Sequence, residues 1–153
     1  MADDVNHREI ADQLELRSLA EYYAAGVDRR DRDLFLRAFH PDGGIVLLDY
    51  ADPTQVRGTR TGHAELADVT ELIARYDKTF HFIGNTRYTI DGDRATGEVY
   101  CLAHHLTPDR HGGTDYVMMI RYQDVYSRRD GHWGIDERRL ITDWTETRAA
   151  NRP

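Results

Sequence analysis

Cysteine is nearly absent: Cys101 is the only one among 153 residues. A single thiol excludes an internal disulfide framework and a structural zinc site of cysteine type. Long apolar runs are missing too, and no stretch approaches the roughly 20 residues needed to span a bilayer. The opening residues, Met1 to Arg8, are polar and lack the apolar core of a secretory signal. A cytoplasmic protein without a membrane partner is expected. Positive charge is in deficit, with 20 Lys and Arg against 27 Asp and Glu, a net charge of −7. That balance argues against nucleic acid, which wants a basic face. There is no Gly-x-Gly-x-x-Gly loop, phosphate loop or Gly-x-Ser-x-Gly elbow, so nucleotide-binding and serine-hydrolase readings have no support. Eight histidines are present, yet none forms a His-x-x-x-His or His-Glu-x-x-His pair. His63, His81, His105 and His111 would converge on a metal only by accident of folding, and no metal or cofactor is expected.

What is present suits one domain over residues 1–153: 40% hydrophobic residues are enough for a real core. From Arg8 to about Val27, apolar residues recur at steps of three and four, which predicts an amphipathic helix. Ala24, Ala25 and Gly26 near its end leave room for a close neighbour. Asp31 or Asp33 is placed to cap a second short helix carrying Leu34 and Phe35. Pro41-Asp42-Gly43-Gly44 reads as a turn before a strand from Ile45 to Tyr50. A short strand is expected near Val56 to Arg60, then a third helix from His63 to Tyr76. Four long strands follow, roughly Thr79 to Ile90, Ala95 to Thr107, Tyr116 to Ser127 and Trp133 to Thr145. Asp91-Gly92-Asp93, Pro108 to Gly113 and Arg129-Asp130-Gly131 are hairpin chemistry. The fold class predicted is α+β: a curved antiparallel sheet with three helices making a cone around one pocket. Strands this long need bulges or glycines to bend, and Gly84 and Gly97 are candidates.

Asp28 falls at the C-terminal end of the first helix, where the helix dipole disfavours a carboxylate and invites a hydrogen-bond donor. His81 shares a strand face with Ile83 and Asn85, opposite Phe80 and Phe82. A histidine flanked by aromatics needs a partner, and a carboxylate on one ring nitrogen leaves the other as a base. The plain structural readings are a solvated Asp28 and a core histidine bonded to a backbone carbonyl. His105 follows Val99, Cys101 and Ala103 at strand spacing and points inward, with His104 outward beside Tyr100 and Leu102. Asp49 and Tyr50 end the first strand, where a phenol can bond a substrate oxygen. Tyr122 and Asp124 share a face with Met118 and Ile120, which suits a cavity wall. The outer row of Tyr100, Leu102 and His104 suits a contact with a second copy, so a homodimer or homotrimer is expected.

The order of elements resembles the SnoaL-like branch of the nuclear-transport-factor-2-like superfamily, from about Ile10 to Glu146. The resemblance rests on Tyr22-Tyr23, on Val27-Asp28-Arg29-Arg30-Asp31, on Phe35 and Phe39, on His81-Phe82-Ile83-Gly84-Asn85 and on Asp130-Gly131-His132-Trp133. At motif level the chain is similar to scytalone dehydratases through Asp28, Asp49-Tyr50, His81 and His105. It is similar to hexachlorocyclohexane dehydrochlorinases through Gly26-Val27-Asp28 and His81. It departs from the dehydratase pattern at Val27, Ile120 and Tyr122, so the polar fittings of the pocket differ. The resemblance implies a cofactor-free lyase. Asp28 and His81 would do acid–base work, and Tyr50, His105, Asp49, Asn85 and Tyr122 would line the substrate site. The substrate would be a small apolar oxygenated molecule, cyclic or polyketide-like. An isomerase or cyclase would use the same parts. A non-catalytic binding protein, or the small subunit of a ring-hydroxylating dioxygenase, shares the cone.

Overall fold

The computed structural model describes residues 6–109 and 112–151. The first helix, α1 (His7–Arg29), starts on the Asn6 side chain, which accepts from the Glu9 backbone N–H at 3.3 Å. It ends at Arg30, whose left-handed φ of 54° turns the chain back. A short α2 (Arg32–Leu36) follows, capped by Asp31 through the Leu34 N–H at 3.0 Å. The two helices meet where a side chain would obstruct them: a Cβ at Gly26 would sit 2.4 Å from the Phe35 backbone nitrogen. Gly26→Ala is therefore expected to cost about 1–3 kcal/mol through overpacking against backbone. A urea titration reads it, and a loss well under 1 kcal/mol would mean that α2 shifts freely.

The sheet strands are β1 (Phe39–Leu48), β2 (Val56–Thr61), β3 (Lys78–Asp91), β4 (Arg94–Asp109), β5 (Gly112–Arg129) and β6 (His132–Ala150). Their order is β2-β1-β6-β5-β4-β3. Every pairing is antiparallel except β1 with β6, which run parallel. Pro41 to Gly44, expected as a turn, lies inside β1 at a break in its register with β6. The third predicted helix is two pieces, α3 (Gly62–Leu66) and α4 (Asp68–Ile73), separated at Ala67. The β5–β6 turn has positive φ at both Asp130 (51°) and Gly131 (82°), the requirement of a two-residue hairpin turn. Of the hairpin residues expected between β4 and β5, 110 and 111 lie outside the described residues.

Curvature comes from bulges on β3 and β6. On β3 the register with β4 shifts between Ile83 and Thr86, so Gly84 and Asn85 together oppose Tyr100. Gly97 serves differently: a Cβ there would lie 2.7 Å from the Tyr88 ring. The concave face carries the core, including Leu16, Tyr23, Phe35, Val99, Tyr122 and Ile135. Asp12 pins α1 to the β5–β6 hairpin by a bidentate pair with Arg128 (2.7 and 2.9 Å) and a bond from the Trp133 indole (3.0 Å). The convex face leaves Phe80, Phe82, Tyr100, Leu102 and Trp144 exposed. Tyr100 and Leu102 were expected there, as the face for a second copy. Among the described residues, no helix is long and apolar enough to cross a membrane.

Candidate active site

Between the helices and the concave face lies a cavity of about 290 Å³. His81 and His105 are on its wall, Tyr122 is on its floor and Tyr50 is at its rim. Asp28 stands behind His81. Its Oδ1 accepts from the ring Nδ1 at 2.7 Å and from the Thr79 hydroxyl at 2.9 Å, and its Oδ2 accepts from the His81 backbone N–H at 2.8 Å. The side chain of His81 is only 6% exposed. Arg30 ties the end of α1 to the start of β3, donating to the carbonyls of Tyr76 (2.7 Å) and Asp77 (3.2 Å). The spacing of Asp28 and His81 is thus fixed at both ends.

Burial pushes the Asp28 carboxyl upward. The ring and backbone hydrogen bonds from His81, its charge and the Thr79 hydroxyl outweigh burial, and the net pKa is lowered. Asp28 is therefore a carboxylate at neutral pH. When the His81 ring carries a single proton, Asp28 holds it on Nδ1 and leaves the Nε2 lone pair available as a base.

His105 is 5% exposed, and its Nδ1 donates to the Tyr116 carbonyl at 3.1 Å. The rings of His81 and His105 are 5.7 Å apart. Burial, then repulsion from His81, holds His105 below its usual pKa; the backbone acceptors oppose this without cancelling it. His105 thus faces the cavity as a neutral ring whose Nε2 can accept a hydrogen bond. A group with a depressed folded pKa gives stability that is complete above its ordinary value near 6.5. That stability is lost as pH falls from there through the folded value. His105→Gln is expected to flatten this part of the melting-temperature profile. Parallel profiles for the variant and the parent chain would disprove the assignment.

Two other expected residues are not in the cavity. Asn85 is exposed on the convex face beside Phe82 and Tyr100, because the bulge after Ile83 reverses the alternation that would have placed it with His81. Asp49 folds back on its own turn, accepting from the backbone N–H groups of Ala51 (2.9 Å) and Asp52 (3.1 Å). Cavity residues that the sequence reading missed are Arg57, Arg60, Arg75, Tyr76 and Tyr116. The three arginines and Tyr76 lie on segments whose local pattern looks like ordinary polar surface, whereas Tyr116 lies within β5 opposite His105. Cys101 is buried, and burial pushes its thiol up to about 12, so it is no nucleophile.

Beneath the floor, Asp124 and Arg138 form a bidentate pair (2.9 and 2.7 Å) with both side chains wholly buried. The guanidinium lies between the rings of Tyr23 (4.5 Å) and Tyr122 (4.1 Å). The Tyr122 hydroxyl is buried without a hydrogen-bond partner among the described residues.

The helix-covered, open, six-stranded cone is the fold of nuclear-transport-factor-2-like proteins. Within that class, the chain belongs to the SnoaL-like domain family, whose model matches residues 8–139. Uncharacterized proteins of Mycobacterium tuberculosis and Mycobacterium bovis are 28% identical over 133 residues, covering 85% of this chain and 84% of theirs. Among solved structures, a type 2 hexachlorocyclohexane dehydrochlorinase superposes with a TM-score of 0.81 at 20% identity, covering 95% of each chain. A candidate scytalone dehydratase from Novosphingobium aromaticivorans gives 0.76 at 20% identity, covering 94% of this chain and 93% of that one. At such identities the likeness shows the fold.

Proposed function

We propose that the protein is a cofactor-free lyase that removes water from a small, apolar, oxygenated substrate, with Asp28 and His81 as its acid–base pair. The observation that carries the reading is the 2.7 Å contact of Asp28 with His81 Nδ1 in the wall of a cavity, with Nε2 left free. His81 Nε2 takes a proton from the carbon next to a carbonyl. The C–H electrons form the new C=C bond as the C–O bond to the β-hydroxyl breaks. The leaving oxygen takes the proton from Nε2 and departs as water, so a β-hydroxy ketone becomes an enone. Asp28 stabilises the imidazolium formed in between. Tyr122 on the floor or Tyr50 at the rim supplies a phenolic donor to the carbonyl oxygen, and His105 accepts from a substrate hydroxyl. Kinship of fold with a dehydrochlorinase and a candidate dehydratase supports an elimination.

The test uses 3-hydroxy-1-tetralone, a cyclic β-hydroxy ketone whose dehydration gives 1-naphthol, with no added cofactor and with chelator present. Release of naphthol well above the buffer rate is expected. If neither this nor related β-hydroxy ketones turn over, and 1-tetralone exchanges no α-proton in deuterated water, the cavity only binds.

A further inference from the structure

Apart from the dyad, the cavity has a feature that the composition of the chain makes unexpected. In a protein of net charge −7, its lining contains three arginines and neither Asp nor Glu. Two of the three have no carboxylate partner among the described residues. Arg57 lies over the ring of Tyr50 at 4.5 Å and donates to its hydroxyl at 3.4 Å. Arg75 lies over the ring of Tyr76 at 4.9 Å and donates to its hydroxyl at 3.1 Å. The third, Arg60, has only a loose contact with Asp68 at 3.9 Å. Elsewhere on the surface, Arg121 pairs with Asp143 and Arg129 with Asp42.

Stacking on a phenol ring uses the flat face of a guanidinium and limits its rotation. Each guanidinium spends one N–H on the phenol oxygen and keeps the others to grip an oxyanion. Arg57 comes from β2 and Arg75 from the segment after α4, so two separate elements bring their cations to one rim. The deeper wall, with Val27, Ile45, Leu47 and Met118, is apolar.

We propose that the cavity mouth is an oxyanion subsite formed by Arg57 and Arg75. The ligand is then an amphiphile: an apolar oxygenated body beside His81 and a carboxylate, sulfonate or phosphate at the rim. This rests on reading the cavity as the substrate site, and it narrows the substrate class from neutral ketones to acids.

Calorimetric titration of the full chain with 2-naphthoate and with uncharged 2-naphthamide tests it without any need for turnover. The naphthoate is expected to bind about tenfold tighter or more, as charge-assisted bonds from two guanidinium groups allow. Arg57→Gln and Arg75→Gln are each expected to remove most of that preference without changing naphthamide binding. Arg75→Lys is expected to keep part of it, and salt to erode it. A larger gain with 2-naphthalenesulfonate or 2-naphthyl phosphate supports the same subsite and assigns its head group. Equal binding of the charged and neutral probes, or binding of neither, overturns the proposal. So does a preference that survives in both arginine variants and disappears in His81→Gln, because the anion would then sit at the dyad. Failure of the lyase reading shows separately, as turnover that ignores His81.

Discussion

His81→Ala is expected to lower dehydration of a β-hydroxy ketone by about 10²–10⁴-fold, the usual contribution of a positioned general base. The protein should stay folded, because the backbone N–H of His81 still donates to Asp28 and Thr79 still caps the same carboxylate. Asp28→Asn is expected to be comparably severe. Its NH2 must face either the His81 backbone N–H or Nδ1, so it opposes a donor or turns the ring to the other tautomer, and it no longer offsets the positive charge that the ring gains during reaction. The double variant should lose little more than His81→Ala alone, since the two groups act as a unit. Rates measured at saturating substrate, with melting temperatures alongside, decide the matter. Turnover by His81→Ala above a tenth of the parent rate would remove His81 as the general base.

The largest effect on stability should come from Arg138→Met. It strands the Asp124 carboxylate, which keeps only the Tyr126 hydroxyl at 2.7 Å. A buried charge that loses its partner costs about 3–5 kcal/mol, read from denaturant midpoints. The Met fills much of the space between the Tyr23 and Tyr122 rings, so the loss reports the charge more than a void. Replacing both partners, Asp124→Leu with Arg138→Met, should recover most of it, since the uncharged pair needs no desolvation. A single variant that loses less than 1 kcal/mol would show that water reaches Asp124 in the folded protein. Because Tyr122 forms the cavity floor, the single variant should also weaken ligand binding in the cavity.

Much of the site was readable along the chain where the signal was local. The helix ending at Asp28 and the strand through His81 follow from spacing and alternation. The inward turn of His105 and the outward turn of His104 follow in the same way, and the latter meets Asp115 at 2.8 Å. Asn85 shows the limit of that logic. It follows His81 at an even spacing, but one extra residue in β3 reverses the face of everything after Ile83. Asp49 shows another, because a carboxylate at a strand end satisfies its own turn as readily as a ligand. Arg57 and Arg75 carried no signal at all: a cation in a polar segment looks the same whether it meets solvent or a cavity mouth.

By itself the sequence determined the first two helices, the long hairpin strands and the α+β class, and it singled out Asp28 and His81 as candidates. Periodicity, turn chemistry and caps act over a few residues and are written into the chain. Tertiary structure alone decided the parallel junction of β1 with β6, the bulges, the buried Asp124–Arg138 pair and the cluster of arginines at the rim. Those features depend on where strands far apart in sequence meet, and a single inserted residue or one close approach at a glycine resets them.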